Sequence, residues 1–309
     1  MADEYVIVRR TLGSRVRVEL TAHEYQELAK ALDGLARVVD VEEAYDILIS
    51  NYMEYEKAVA GILIEEEVRQ RITYDGFNRD RRHMSRVTAN LLSSARLFRD
   101  LTDISVPKLL GRKALATFRE AKAQIAKASF PYRFMEELRN HSQHENFAVT
   151  GLSYGSNWLE HKDEIKATRV HTFKPSVRPR LLAEFPRFKD LLAEYKVMRD
   201  ADPSQPESID LTLYVRHYVM GMGDVLLAIR DMLSDAGIIA HWISVVDHWL
   251  NAFLEADGST TKMGVEAEHL QDGVKVDYRH LGSELGDVVA RLQKENRKLV
   301  NLHRIQFRI

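Results

Sequence analysis

The side chains best suited to chemistry stand together in one six-residue stretch, Arg139-Asn140-His141-Ser142-Gln143-His144. A permanently charged guanidinium beside an imidazole suits phosphodiester cleavage in RNA. The arginine holds the scissile phosphate through paired N–H groups and offsets charge that builds in the transition state. A histidine that titrates near neutrality moves the proton of the attacking 2′-OH or of the leaving 5′-oxygen. This chemistry needs no metal and no cofactor. Arg139 and His144 are the candidate pair, with Asn140 in support. If the helix continues, Asn140 and His144 lie one turn apart on one face, where Asn140 orients His144 or selects its tautomer. If it frays after Asn140, His144 swings nearer to Arg139. His141 either assists substrate binding or faces solvent, and Arg133 is a candidate backbone contact.

Other chemistries find less to work with. His141 and His144 stand three apart with Glu145 beside them, a metal-like spacing without an evident third ligand, so no metal is expected. Cysteine is absent, which removes thiolate nucleophiles, disulfides and cysteine-ligated zinc and makes a reducing cytoplasm the expected location. The glycine-rich stretch 151–157 lacks the phosphate-loop pattern, and no nucleophile elbow, His-Glu-x-x-His or dinucleotide fingerprint occurs. His241 and His248 flank Trp242 and Trp249 in a pattern that could stack bases. Buried aromatics with hydrogen-bonded histidines are the simpler reading. His161-Lys162-Asp163-Glu164 reads as exposed helix.

Charge is unevenly distributed. The net charge is −2, which argues against a generally basic nucleic-acid coat. Residues 1–76 nevertheless hold nine Lys/Arg against sixteen Asp/Glu, whereas residues 77–133 hold thirteen against four. The basic run includes Arg79, Arg86, Arg96, Arg99 and Arg133. It reads either as solvated helix faces partly paired with the acidic helix before them, or as a phosphate-attracting field leading up to residue 139.

The elements that must position these residues are mainly helical. Tyr5–Val8 and Val16–Leu20 suggest a hairpin around Gly13-Ser14. Thr21 with Glu24 forms a capping box for a helix to about Leu35, and Asp40 with Glu43 suggests another. Tyr45, Leu48, Tyr52, Tyr55, Val59 and Ile62 then recur at spacings of three and four, an apolar seam suited to a bundle. Asp75-Gly76 reads as a turn, with Asn78 capping the next helix, and Pro107 and Gly111 precede a third. Ser129 and Pro131 open a fourth, whose apolar face is Phe134, Met135 and Leu138. Gly151–Asn157 reads as a loop, and 167–173 as a strand. Helical periodicity covers 178–200 and resumes from Ser208 after Asp202–Pro206, and Gly237 separates a further helix. Asp272-Gly273 predicts a hairpin between Val265–Leu270 and Val274–Tyr278. A helix over 283–299 follows, and alternating Ile305, Phe307 and Ile309 suggest a strand. The expected division is a bundle with a short hairpin over 1–150 and a mainly helical region with a β-hairpin and strand over 151–309. The N-terminus lacks the apolar core of a signal peptide, and apolar runs fall short of the ~20 residues that span a bilayer, so no membrane partner is expected.

Arg139, Asn140 and His144, near the end of an amphipathic helix, resemble the Arg-polar-x3–5-His signature of the HEPN superfamily. The wording from Tyr132 through His144 is similar to bacterial proteins carrying that signature, and the resemblance covers roughly residues 40–150. It implies a HEPN-like helical bundle for that part of the chain; with the C-terminal hairpin and strand read above, the expected fold is mainly α, a HEPN-like bundle with an α+β C-terminal half containing a small sheet. The resemblance further implies a homodimer with two motifs facing across the interface, RNA as substrate, and metal-independent ribonuclease activity in toxin–antitoxin function or antiviral defence. An antitoxin or activator protein is then a further partner. The competing expectation is a non-catalytic helical module that binds a protein partner or nucleotide.

Overall fold

The computed structural model describes residues 3–11, 15–69, 73–159, 168–202, 207–281, 284–297 and 299–304, with backbone alone for 157–159 and 168–170. In chain order the elements are β1 (Asp3–Arg9), β2 (Arg17–Leu20), α1 (Ala22–Arg69), α2 (Tyr74–Leu110), α3 (Arg112–Ala128), α4 (Phe130–His144), β3 (Gly151–Leu159) and β4 (Thr168–Val177). These are followed by α5 (Pro179–Leu182), α6 (Lys189–Ala201), β5 (Ile209–Asp210), α7 (Leu211–Asp235), α8 (Ile238–Asp257), β6 (Val265–Gln271), β7 (Val274–His280) and α9 (Leu285–Glu295). The fold is mainly α, with two small antiparallel sheets in orders β2-β1-β6-β7 and β3-β4-β5. The predicted strand at 305–309, the turn residues Gly13-Ser14 and the segment 161–164 lie outside the described residues.

The chain forms two compact units. One comprises Met1–Glu43, Leu101–Ala116 and Ile229–Arg297, and the other comprises Ala44–Asp100, Thr117–Ala228 and Lys298–Ile309. Each draws on chain from both sides of position 150.

In the first unit, hydrophobic alternation brings distant hairpins together. β1 pairs antiparallel with β2 and, across more than 250 residues, with β6, where Ile7 faces Ala267. Ile7, Leu20, Val265 and Ala267 form one apolar core with Tyr25, Leu28 and Leu32 of α1 and Leu250 and Phe253 of α8. Asp272 and Gly273 both adopt positive φ, 49° and 80°, as the tight β6–β7 turn requires.

Capping chemistry sets the start of α1. The backbone N–H of Thr21 donates to Glu24 at 2.7 Å, and the Glu24 N–H donates to the Thr21 hydroxyl at 3.2 Å. The break expected between Leu35 and Asp40 does not occur, and the helix runs unbroken for 48 residues. No proline interrupts it. Leu35, Val38, Val39 and Tyr45 carry the buried stripe across the expected boundary. Glu42, rather than Asp40 or Glu43, holds a partner here: Arg230 donates to both its oxygens, at 2.7 and 2.6 Å. Gly34 sits inside α1 where an added Cβ would come within 2.6 Å of the Trp242 ring. Trp242 is buried and Trp249 half-buried, consistent with aromatic packing rather than an open stacking platform.

In the second unit, α4 and parts of α1, α2 and α7 pack through large aromatic rings. Tyr45 meets Phe98 edge-on at 5.3 Å, and Tyr132 lies 5.3 Å from Tyr218. Two sequence expectations are corrected here. Asp75-Gly76 belongs to the first turn of α2, because Thr73 accepts the Gly76 N–H at 3.1 Å and caps the helix one turn earlier than Asn78 would. Gly151–Asn157 is a strand, not a loop. Opposite Gly151 and Gly155 stand Ser176 and Thr172, whose hydroxyl oxygens lie 2.9 and 2.6 Å from where a Cβ would be. The glycines admit close cross-strand approach rather than a turn.

Candidate functional site

Local sequence holds α4 in place at both ends. The Ser129 hydroxyl accepts the Tyr132 N–H at 3.3 Å, and Pro131 occupies the first turn, where its missing N–H costs nothing. At the other end, the Glu145 N–H donates to the His141 carbonyl at 2.9 Å. The helix therefore persists through His144 and does not fray after Asn140. At about 100° per residue, Arg139 and His144 project some 140° apart around the axis.

Arg139 lies on the inward side, 8% exposed. Its Nη1 donates to the Gln143 side-chain oxygen at 3.0 Å, one turn along the helix. Among the described residues no carboxylate forms an ion pair with it. Burial first, then the charges of Arg96 and Arg99 on α2, hold its pKa below the usual arginine value. Those two arginines do have acids. Arg96 Nε bonds Asp100 at 2.5 Å, and Arg99 pairs with Glu136 of α4. Glu136 also accepts the Tyr218 hydroxyl of α7 at 2.5 Å, so one carboxylate joins three helices. Burial, then the neighbouring Tyr132, pushes the Tyr218 hydroxyl pKa up, so it remains a donor at neutral pH.

The other candidates are dispersed. The Asn140 amide donates to Glu137 at 3.3 Å, so its described partner is not His144. His144 is exposed at the helix end. His141 is 2% exposed, with its ring edge-on to Phe185 at 4.5 Å and Phe188 at 5.7 Å. Its Nδ1 lies 3.3 Å from Glu145, whose other oxygen accepts Arg187 at 2.7 Å. That ring packs rather than meeting solvent. Arg133 donates to Glu194 at 2.6 Å and lies over the Phe130 ring.

The basic run divides in the same way. Arg79 pairs with Asp80 and lies 3.7 Å from Glu65 of α1, so that part of the run is matched to the acidic helix before it. Arg96, Arg99 and Arg139 are the part that converges. Sequence reading placed Arg96 and Arg99 in the run but not beside Arg139. Helical periodicity marks Tyr218 as a buried position, but its bond to Glu136 spans 82 positions and leaves no local pattern. Among the described residues no three His, Asp or Glu side chains converge as a metal would need.

Comparison with family models, curated proteins and solved structures found no match. Fold and site define a mainly α protein in which a buried arginine, Arg139, lies near two part-exposed ones, Arg96 and Arg99. Among the described residues no helix is long and apolar enough to cross a membrane.

Proposed function

We propose that this chain is a metal-independent RNA endonuclease of the HEPN type, acting as a homodimer in a toxin–antitoxin or antiviral setting in the cytoplasm. The observation that carries this reading is Arg139: a buried guanidinium with two cationic neighbours and a neutral amide as its hydrogen-bond partner. A phosphodiester supplies what that group lacks. Its non-bridging oxygens replace the Gln143 oxygen, accept the Arg139 N–H groups and offset the repulsion from Arg96 and Arg99.

The 2′-hydroxyl then attacks phosphorus and the 5′-oxygen leaves, giving a 2′,3′-cyclic phosphate and a free 5′-hydroxyl. His144 takes the 2′-proton or protonates the leaving oxygen, and solvent water carries the other proton. With the two side chains some 140° apart on one helix, a shared phosphate is better served by Arg139 of one copy and the partner subunit's His144. The HEPN resemblance implies such facing motifs. Regulation by an antitoxin or activator protein belongs to the same reading.

Purified protein and a His144→Ala variant are incubated with mixed RNA in EDTA, and the product ends are mapped. Cleavage by the wild type alone, leaving cyclic or 3′-phosphate ends and falling at least 100-fold in the variant, is the expected result. Equal background from both proteins sinks the proposal.

A second reading is a non-catalytic helical module that binds a protein partner or nucleotide. It is favoured by the internal partners of Asn140 and Arg133, Glu137 and Glu194, which leave neither poised for RNA.

A further inference from the structure

A cavity of about 630 Å³ opens inside the second unit, between the start of β3, the end of β4, α5 and α6. This volume falls within the range of small-molecule sites and far exceeds what an inorganic phosphate fills. Four of its lining side chains are cationic, namely Arg178, Arg180, Lys196 and Arg199, and Glu207 is the one acid among the described lining residues. Arg199 lies 3.8 Å from Asp200. Among the described residues no carboxylate pairs with Arg178, Arg180 or Lys196. Three cations without a carboxylate partner among the described residues repel one another around one concave space and favour a ligand with several negative charges.

The remaining wall mixes serines with an apolar part built on Tyr195, Leu152 and Leu192. Tyr195 is buried and stacks on Phe130, with ring planes 19° apart and centroids 6.3 Å apart. Leu152 and Leu192 line the cavity with it. Gly151 keeps the β3 side open. A Cβ there would come within 2.9 Å of the Ser176 hydroxyl and 3.6 Å of Arg178 Nε, so the glycine leaves both groups presented to the cavity.

We infer that this cavity binds a nucleoside phosphate, with its phosphates on Arg178, Arg180 and Lys196 and its base against Tyr195 and Leu192. The combination selects the class. The flat face of a base matches the tyrosine and leucine wall, and an oligophosphate matches the cations. The inference stands independently of the nuclease reading, since none of these residues belongs to the Arg139 cluster, and it gives the nucleotide of the second reading a place.

Calorimetric titration of the full chain with ATP, GTP, CTP and UTP, with the corresponding nucleosides, and with inorganic triphosphate tests it. At least one nucleotide binds at one per chain and at least tenfold tighter than triphosphate, while nucleosides are silent up to about 1 mM. The double variant Arg180→Glu, Lys196→Glu weakens that binding at least tenfold with an unchanged melting curve. Both residues are exposed, so the fold tolerates the change. Arg139→Gln, which the nuclease reading requires to abolish cleavage, leaves nucleotide binding intact. The inference is overturned if no nucleotide binds at about 1 mM, if triphosphate alone binds equally well, or if binding is lost in Arg139→Gln and kept in the double variant. It is equally overturned if an RNA oligonucleotide, and no mononucleotide, occupies the site.

Discussion

Arg216 and Arg139 are buried almost equally, 6% and 8% exposed, in the same compact unit, and they meet opposite surroundings. Arg216 of α7 gives Nε and Nη2 to the two oxygens of Glu56 on α1, at 2.7 and 2.8 Å. Burial opposes its charge, but the hydrogen bonds and charge of Glu56 outweigh burial, and its pKa is raised. Arg139 has a neutral amide at 3.0 Å and two like charges nearby, and its pKa is lowered. Burial is common to both, so the partner decides the role. A carboxylate in fork geometry makes Arg216 a joint between helices, whereas the same group without one is an acceptor-seeking site.

Removing the joint has the largest expected effect on stability. Glu56→Gln removes the carboxylate that balances the buried Arg216 charge and costs about 3–5 kcal/mol, read as a lower midpoint in urea unfolding. A loss under about 1 kcal/mol would mean that water or another acid reaches Arg216, and the contrast with Arg139 would collapse.

Arg139→Met is the opposite experiment. It removes a desolvated cation and two repulsions while keeping an unbranched apolar side chain, so stability rises by roughly 1 kcal/mol. RNA cleavage falls with it. A destabilised Arg139→Met protein would show that Arg139 holds the bundle together as Arg216 does.

The smallest change sharpens the comparison further. Gln143→Glu gives Arg139 a carboxylate at the position its amide now occupies. Because residue 143 is exposed, the new pair adds only about 0.5 kcal/mol of stability, but it competes directly with phosphate. Filter-binding affinity for RNA is expected to drop while thermal stability holds or increases. Unchanged RNA affinity would place the phosphate elsewhere.

Much of the scaffold could be read from the chain because its signals are local. The Thr21/Glu24 capping box, the Ser129-Phe130-Pro131 start of α4 and the Asp272-Gly273 turn act within four residues, and each appears where the sequence placed it. The misreadings share one cause. A cap at Asp40, a turn at Asp75-Gly76 and a loop at Gly151–Asn157 were each inferred from residue types that also serve packing or a strand. Only the neighbour, whether a continuing apolar stripe, Thr73 as the earlier cap, or Ser176 and Thr172 across the ladder, determines which use applies.

The candidate site divides along the same line. Sequence alone determined that Arg139, Asn140 and His144 lie at or just past the end of an amphipathic helix after a basic run, since helical periodicity and charge are properties of neighbours in the chain. Only tertiary structure decided that Arg139 faces inward beside Arg96 and Arg99, that Glu136 and Tyr218 frame it, that His141 packs against Phe185 and Phe188, and that His144 faces solvent. Burial and charge pairing depend on which distant segments arrive at the same place, as when Arg99 of α2 and Tyr218 of α7 both meet Glu136 of α4.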